Sequence, residues 1–354
     1  MGDSIQDVME AVAEKYGAIG VQVAVIQKGS MTNTYSCGWA TYGIDTMSVN
    51  HRMRIASISK VIIGMETMLL MEHGILDLDD PIGPYWGLDA INPYYPEVPV
   101  TIRSLLTHTS SILNLSDNSS RTYDAVRSRL LADGYSCLIP GNISSWDYNN
   151  YAYGVLGQTL ELAAGANLDT LLHTDLLDAI EADGAFGPGN LKDNSKLVTL
   201  AHHDGRVIRT VEEQRKMYAA ATPGASGYYF SGGFTISVTD LGKIISVLAN
   251  KGLYKDIRIM DEKSVQLMQM YDPNQLEDGS YQGIAIRYKE DMYGRAGLYF
   301  HTGSAYGVYN FVSYDPLTGD GVVVLTVGAS PTKDDCSNYA ICGEISNYIY
   351  EFIK

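Results

Sequence analysis

The sequence is poor in cysteine and has no long hydrophobic run. Its four cysteines show no CxxC spacing, so neither a disulfide scaffold nor a zinc or dithiol redox motif is expected. We therefore predict free, partly buried thiols at Cys37, Cys137, Cys336 and Cys342. No uninterrupted apolar run approaches the roughly 18–20 residues that a membrane-spanning helix needs, so no transmembrane segment is predicted.

Basic residues are also scarce. The 354 residues include 25 Lys and Arg against 41 Asp and Glu, which gives a net charge of −16 with neutral histidines. Because nucleic acids and anionic membranes bind basic faces, this balance excludes both as partners. Hydrophobic residues make up 45% of the chain, a proportion typical of a globular protein and not of a disordered one.

Motifs for bound metals and nucleotides are missing as well. The sequence has no Walker loop, no G-x-G-x-x-G behind a strand and no G-x-S-x-G elbow. His202, His203 and Asp204 are adjacent in the chain, and this spacing does not converge on a metal ion. We therefore predict no metal and no other cofactor.

Strand-like sequence lies at both ends of the chain, and helical sequence lies between them. Runs of β-branched and aromatic residues predict strands at 19–26, 33–40, 282–289, 308–314 and 321–327. The simplest topology joins these strands in one antiparallel sheet with helices on its faces. The fold class is therefore α/β (α+β), with an inserted all-helical domain.

The predicted helices set the domain boundaries. An almost wholly apolar helix at 57–73, ended by Gly74, belongs inside a domain. A closing helix at 334–353 would hold Cys336 and Cys342 about 9 Å apart, too far to bridge. We expect residues 1–62 and 222–354 to form the discontinuous sheet domain and 63–221 a mainly helical insertion, with the active site in the cleft between them.

The first candidate site is the tetrad from Ser57 to Lys60. A serine at a helix N-terminus with lysine three residues later places the hydroxyl and the amine on one helical face. Burial and the positive helix end disfavour a charged lysine, and a neutral amine can take the hydroxyl proton. Taken alone, the tetrad is weak evidence, because a second one, Ser330 to Lys333, occurs before an acidic, polar stretch.

Two further segments carry polar groups suited to catalysis. Tyr148 and Asn150, at the head of a predicted helix, offer a phenol that can relay a proton and an amide that can hold a substrate carbonyl. Later, His301-Thr302-Gly303-Ser304 lies on a predicted strand, where Gly303 leaves room for a substrate to approach the backbone. The N–H groups of Ser304 and Ser57 could then donate to an oxyanion.

Together and in this order, S-x-x-K, Y-x-N and H-T-G resemble the serine β-lactamase and penicillin-binding protein superfamily. The branch is the one that holds class C β-lactamases, D-alanyl-D-alanine carboxypeptidases, D-aminopeptidases and related esterases. The flanking segments resemble it too, namely Met53-Arg-Ile-Ala-Ser57, Gly74-Ile-Leu-Asp-Leu-Asp-Asp-Pro-Ile82, Val100-Thr-Ile-Arg-Ser-Leu-Leu-Thr-His-Thr-Ser110 and the glycine-rich Ser231-Gly-Gly-Phe234.

The resemblance implies a role for each motif residue. Ser57 would be the acylated nucleophile, Lys60 would share its proton, and Tyr148 would act as general base and protonate the leaving group. The remaining residues would contact substrate: Asn150 its amide, Thr302 a carboxylate or carbonyl, and the backbone N–H groups of Ser57 and Ser304 the oxyanion. His301 replaces a lysine common in class C β-lactamases and is more typical of peptidase and esterase members.

The resemblance also implies a substrate class. We expect a serine hydrolase that forms an acyl-enzyme, acts on a D-Ala-D-Ala type peptide and can be acylated by β-lactams. The alternatives are a class C-like β-lactamase, a carboxylesterase or D-aminopeptidase, and a slowly deacylating penicillin-binding sensor. A substrate carboxylate would need a local cation in so acidic a chain, and His301, if protonated, or Arg287 is expected to supply it.

The expected partner is a small-molecule or peptide substrate. Family analogy implies a place outside the cytoplasmic membrane or in the cell envelope. The N-terminus shows neither the basic region nor the apolar core of an export signal. A signal already removed from this chain fits that analogy, and a cytoplasmic location is the alternative.

Overall fold

An eight-stranded antiparallel sheet, built from both ends of the chain, organises the computed structural model, which describes residues 4–353. The strands of the structure are β1 (Gly20–Gln27), β2 (Ser30–Thr41), β3 (Asp45–Thr46), β4 (Arg52–Arg54), β5 (Gly184–Ala185), β6 (Leu200–Ala201), β7 (Val207–Arg209), β8 (Thr235–Ser237), β9 (Leu253–Tyr254), β10 (Ile257–Arg258), β11 (Tyr281–Gln282), β12 (Arg287–Met292), β13 (Arg295–Ala305), β14 (Val308–Tyr314) and β15 (Gly321–Val327). The order in the large sheet is β11-β12-β13-β14-β15-β1-β2-β3. The predicted sheet and fold class are confirmed.

Helices cover both faces of this sheet and fill the middle of the chain. The α-helices of the structure are α1 (Ile5–Lys15), α2 (Ser59–Glu72), α3 (Ile102–Leu106), α4 (Tyr123–Leu131), α5 (Asn150–Ala164), α6 (Leu168–Leu172), α7 (Val211–Gln214), α8 (Val238–Ala249), α9 (Glu262–Gln269) and α10 (Ala340–Phe352). Helices α1 and α10 pack on one face of the sheet and α8 on the other. Every residue of β15 is buried, and because successive side chains point to opposite faces of a sheet, both faces are covered there. Val322 and Val324 pack with α1 and α10, whereas Val323 and Leu325 belong to the core that includes α8 and α2. None of the helices among residues 4–353 is both long and apolar enough to span a membrane.

Helix α2 is the central element of the larger core. Every residue from Ser59 to Leu70 is buried, as the apolar sequence predicts for an internal helix. The helix ends at Glu72, and Gly74 follows with a φ of +69°, the left-handed conformation that favours glycine. It begins later than predicted, because Ser57 belongs to a separate 3₁₀ turn at Ala56–Ile58.

Two predicted elements are wrong in their extent. The strand expected at 282–289 is interrupted, because Ala285 takes a φ of +59° and the Gly283 N–H donates to the Ile286 carbonyl, closing a turn between β11 and β12. The closing helix begins at Ala340 and not at 334. The preceding loop is held by the Asp334 carboxylate, which accepts from the backbone N–H groups of Cys336 and Asn338.

The cysteine prediction needs one correction. Cys336 lies outside α10, so the helical spacing to Cys342 does not apply. The free state is confirmed nonetheless for Cys37, Cys137, Cys336 and Cys342. Partial burial is confirmed only for Cys37 and Cys336, because Cys137 is exposed and Cys342 is fully buried.

The middle of the chain is not wholly helical. Strand β5 pairs with β8, and β6 pairs with β7 in a small hairpin. The hairpin forms because Asp204 and Gly205, with a φ of +81° at the glycine, supply turn chemistry. His202 and His203 therefore belong to a connection between two strands. The division into domains at 62/63 and 221/222 stays a prediction.

A buried carboxyl in α2 makes the stability of this fold depend on pH. Glu66 is fully buried, and this burial, reinforced by the charge of Asp175, raises its pKa to about 9 from an ordinary 4.5. The folded chain therefore binds one proton more than the unfolded chain between these values. The free energy of unfolding should fall as the pH rises through this window, with a limiting slope of about 1.4 kcal/mol per pH unit.

Glu66→Gln should remove this slope, because a neutral amide of the same shape has no proton to lose. Urea unfolding at pH 6, 7 and 8 measures the effect, with Glu14→Gln as the control on an exposed position of α1. The control should keep the slope of the unmodified chain. Equal slopes in Glu66→Gln and the unmodified chain would contradict the assignment.

Candidate active site

The turn that carries Ser57 is held against the end of β13. Ala56 takes a φ of +51°, which is rare for a residue with a side chain, and turns the chain from β4 into α2. Gly303 packs directly on this turn, since a Cβ at that position would collide with the carbonyl oxygen of Ile55. The close approach places Ser57 and Ser304 in the wall of one cavity.

Lys60 lies beside Ser57, one turn into the buried helix. Its Nζ is 3.2 Å from the Ser57 Oγ, 2.8 Å from the Asn150 Oδ1 and 2.7 Å from the Ser231 carbonyl oxygen. All three neighbours are uncharged oxygens. The lysine side chain is fully buried, and this burial lowers its pKa, whereas its hydrogen bond with Tyr148 and the charge of that side chain act in the opposite direction.

Tyr148 and Asn150 are positioned by the start of α5. Asn149 is the N-cap of this helix, because its Oδ1 accepts from the Ala152 N–H at 2.8 Å. Asn150 follows as the first helical residue and points its Oδ1 at Lys60. The Lys60 Nζ also lies 4.9 Å from the centroid of the Tyr148 ring. The structure thus brings together Ser57, Lys60, Tyr148 and Asn150 from distant parts of the chain.

His108 is a positioning residue that the sequence prediction missed. Its Nδ1 accepts from the Asn149 N–H at 3.0 Å, so its proton is on Nε2. The His108 ring lies 4.5 Å from the Tyr148 ring, centroid to centroid. Burial lowers the pKa of His108 well below 6.5, and a neutral ring can keep this acceptor role. The only sequence signal for this residue is its place in the segment from Val100 to Ser110, which carries part of the family resemblance.

The hydroxyl of the second serine in the tetrad, Ser59, already takes part in a hydrogen bond. The Ser59 Oγ is buried and accepts a hydrogen bond from the backbone N–H of Phe234 at 3.1 Å. Ser57, by contrast, is partly exposed and faces the cavity. The structure therefore favours Ser57 as the reactive hydroxyl of this segment.

His301 is not the cation that the sequence led us to expect. Its side chain is buried, its Nδ1–H donates to the Thr302 carbonyl at 2.7 Å, and burial lowers its pKa to about 3. The positive charge of Arg287 lowers it further. His301 is therefore neutral at neutral pH, because a buried imidazolium without an acidic partner loses its hydration.

Arg287 lies on β12 and is already paired. Its Nη1 is 2.6 Å from the Asp278 Oδ2, and its guanidinium stacks 5.0 Å from the centroid of Phe300. It does not line the cavity beside Ser57. The substrate-binding roles of Asn150, Thr302, Ser304 and Arg287, and the oxyanion role of the backbone at Ser57 and Ser304, stay predictions.

The cavity beside Ser57 has a volume of about 400 Å³. Its wall contains two arginines, Arg54 and Arg121, that the sequence prediction did not single out. Arg54 lies three residues before Ser57 in a segment that carries part of the family resemblance, and no motif contains Arg121. The other lining residues are Ala56, Ser57, Asn114, Leu115, Ser116, Asn150, Ser231, Gly232, Ser304 and Ala305.

Known proteins share both the sequence pattern and the fold. Residues 5–341 match the protein-family model described as Beta-lactamase. Penicillin-binding protein 4* from Bacillus subtilis (strain 168) is 26% identical over 181 residues, which cover 49% of this chain and 38% of that protein. The match thus spans well under half of the relative's length.

Two solved structures superpose over nearly the whole chain. The D-amino acid amidase from Ochrobactrum anthropi SV3, complexed with L-phenylalanine amide, has a TM-score of 0.75 at 22% identity and covers 99% of this chain and 97% of its own. The octameric penicillin-binding protein homologue from Pyrococcus abyssi has a TM-score of 0.73 at 20% identity, with coverages of 99% and 76%. These likenesses establish the fold. The family match over residues 5–341 confirms the resemblance drawn from the motifs, and the chain belongs to the beta-lactamase family, within the serine β-lactamase and penicillin-binding protein superfamily.

Proposed function

We propose that this protein is a serine hydrolase that works through a covalent acyl-enzyme on Ser57. The observation that carries the proposal is the set of contacts around Lys60. Its Nζ has two neighbours that can only accept hydrogen bonds, the Asn150 Oδ1 and the Ser231 carbonyl, and one that can also donate, the Ser57 hydroxyl. An ammonium with three N–H donors would fit these three oxygens as well, but burial disfavours its charge. A neutral amine fits them with two N–H donors and one lone pair, which it can turn toward the Ser57 hydroxyl.

The lone pair of Lys60 would therefore face the Ser57 proton. Burial disfavours the ammonium form, and no carboxylate contacts the Lys60 Nζ within the described residues to restore it. An uncharged amine can accept the hydroxyl proton as the Ser57 oxygen attacks a substrate carbonyl. Tyr148, which interacts with the same amine, would relay that proton to the leaving group.

The proposed reaction is the transfer of an acyl group from the substrate to Ser57 and then to water. The Ser57 Oγ forms a bond to the carbonyl carbon, the bond from that carbon to the leaving amine or alcohol breaks, and the leaving group takes up the serine proton. Water then attacks the ester and returns the proton to the serine. The backbone N–H groups of Ser57 and Ser304, which share the cavity wall, would stabilise the oxyanion in both steps.

The substrate we propose is a peptide that ends in D-Ala-D-Ala, with β-lactams acylating the same serine. Support comes from the similarity to penicillin-binding protein 4* over 181 residues. The D-amino acid amidase with the same fold keeps an amidase or aminopeptidase as a second candidate. A β-lactamase, a carboxylesterase and a slowly deacylating sensor use the same residues and differ in pocket shape and water placement. A peptidoglycan substrate would place the protein in the cell envelope or outside the cell.

Intact-protein mass spectrometry after mixing with a penicillin tests the nucleophile. The unmodified chain should gain one adduct, and Ser57→Ala should gain none, because the acyl group then has no oxygen to bond. Ser330→Ala, in the other S-x-x-K tetrad, should form the adduct normally. An adduct on Ser57→Ala would refute the assignment.

The lifetime of the adduct separates the candidate functions. A lasting adduct supports a peptidase or a sensor, and rapid loss of the penicillin without an adduct supports a β-lactamase. If no adduct forms and the penicillin persists, cleavage of a D-amino acid amide or of a short aryl ester would identify an amidase or an esterase. No reaction with any of these compounds would contradict the proposed function.

Tyr148→Phe should slow acylation by at least ~10²-fold, because the phenol is the proton relay that the mechanism needs. The rate of adduct formation, measured by quenched mixing, checks this. Tyr42→Phe alters an exposed tyrosine outside the cavity and should leave the rate unchanged. A Tyr148→Phe rate close to that of the unmodified chain would remove Tyr148 from the mechanism.

A further inference from the structure

We propose that Arg54 and Arg121 form an anion-binding subsite that takes a carboxylate of the substrate. This inference rests on the proposed function, because the subsite lies in the cavity that holds Ser57. It assigns to Arg54 and Arg121 the positive charge that the sequence analysis expects at His301 or Arg287. It also narrows the substrate class to acyl donors that carry a negative charge.

Arg54 is a partly exposed guanidinium without an acidic partner among residues 4–353. Its Nε has no hydrogen-bond partner, and none of the ion pairs among residues 4–353 includes it. The guanidinium stacks on the ring of Tyr306, 4.5 Å from its centroid. Because arginine keeps its proton in proteins, this group presents a full positive charge to the cavity.

Arg121 presents a second positive charge in the same wall. Its side chain is held by hydrogen bonds to the carbonyl oxygens of Asn150 and Leu115, both at 3.3 Å. It also has no acidic partner within the described part of the chain, although it is only 7% exposed. A guanidinium has five N–H donors, and these bonds use two of them, so others would remain for a ligand.

Three other poorly exposed arginines are paired with aspartates. Arg52, Arg287 and Arg295, whose side chains are 9–17% exposed, each contact an aspartate at 2.6–3.0 Å. Among residues 4–353, Arg54 and Arg121 have no such partner, and neither has Arg209, whose charge acts on Arg54. A charge removed from water is costly unless an opposite charge compensates it.

None of the acidic residues between positions 4 and 353 lines the cavity, although the whole chain carries a net charge of −16. The charges of both arginines reach Lys60, whose pKa they lower together with its burial. A further cation, Arg209, is close enough to Arg54 for its charge to act on it. A substrate carboxylate would compensate this positive potential, and guanidinium is suited to bind it through paired hydrogen bonds.

A matched pair of activated esters tests the subsite. One is the mono-4-nitrophenyl ester of glutaric acid, which carries a free carboxylate, and the other is the same compound with that carboxylate methylated. The unmodified enzyme should acylate with the anionic ester at least ~10-fold faster in kcat/KM, as expected for a charge-assisted hydrogen bond. This preference should fall as salt is added.

Arg54→Gln and Arg121→Gln should each lower the preference for the anionic ester and leave acylation by the neutral ester much less affected. Arg206→Gln, which removes an exposed arginine outside the cavity, should keep the preference. Arg54→Lys keeps the positive charge and should retain part of the preference. Circular dichroism checks that each variant is folded.

The possible outcomes distinguish a failure of the proposed subsite from a failure of the proposed function. If the unmodified enzyme acylates on Ser57 with both esters at equal rates, the subsite is wrong and the acyl-enzyme stands. A preference that survives in both glutamine variants also overturns the subsite. If neither ester acylates the unmodified enzyme, the proposed function fails and the subsite fails with it. Should Arg54→Gln not fold, the ratio in the unmodified enzyme and in Arg121→Gln decides.

Discussion

A lysine amine buried among uncharged oxygens is the constraint on which the rest of the site depends. Lys60 is fully buried, yet its Nζ contacts a serine hydroxyl, a side-chain amide and a backbone carbonyl, with no carboxylate among them. An ammonium ion in such a place lacks both hydration and a counter-charge. The same contacts suit a neutral amine, which is the form that can activate Ser57.

Each neighbouring element contributes one part of this arrangement. The internal helix α2 buries the lysine, the left-handed Ala56 turns Ser57 toward the cavity, and Gly303 allows β13 to approach that turn. The N-cap at Asn149 and the ring of His108 set the start of α5, which carries the phenol and the amide. The nearby guanidinium groups of the cavity reinforce the effect, because their charges also disfavour an ammonium at Lys60.

Much of the fold and of the site could be predicted from the sequence, and the features that could not be predicted have physical causes. The central helix, most strands of the sheet and the residues of the three motifs follow from periodicity, composition and resemblance. The break at Ala285 and the loop held by Asp334 depend on a positive φ and on side-chain to backbone hydrogen bonds, which no hydrophobic pattern encodes. The charge of His301 stayed open in the sequence, because it depends on burial, which is a property of the folded chain.

The two arginines of the cavity illustrate the same limit. A sequence shows where arginines are, but only the fold shows which of them lack an aspartate. Arg287 was a reasonable candidate on its strand, and the structure pairs it with Asp278. In the sequence, Arg54 is one residue of a segment that resembles the family, whereas in the fold it stacks on Tyr306 and lines the cavity that holds Ser57.

The protonation state of Lys60 tests the account most directly. Nuclear magnetic resonance of ¹³C- and ¹⁵N-labelled lysine side chains can follow it between pH 6 and 11, with its signal assigned by its absence from Lys60→Met. We predict that Lys60 titrates below the ordinary lysine pKa of 10.5, because burial disfavours its charge. A midpoint at or above the ordinary value would show a stabilised ammonium and would contradict its role as the base.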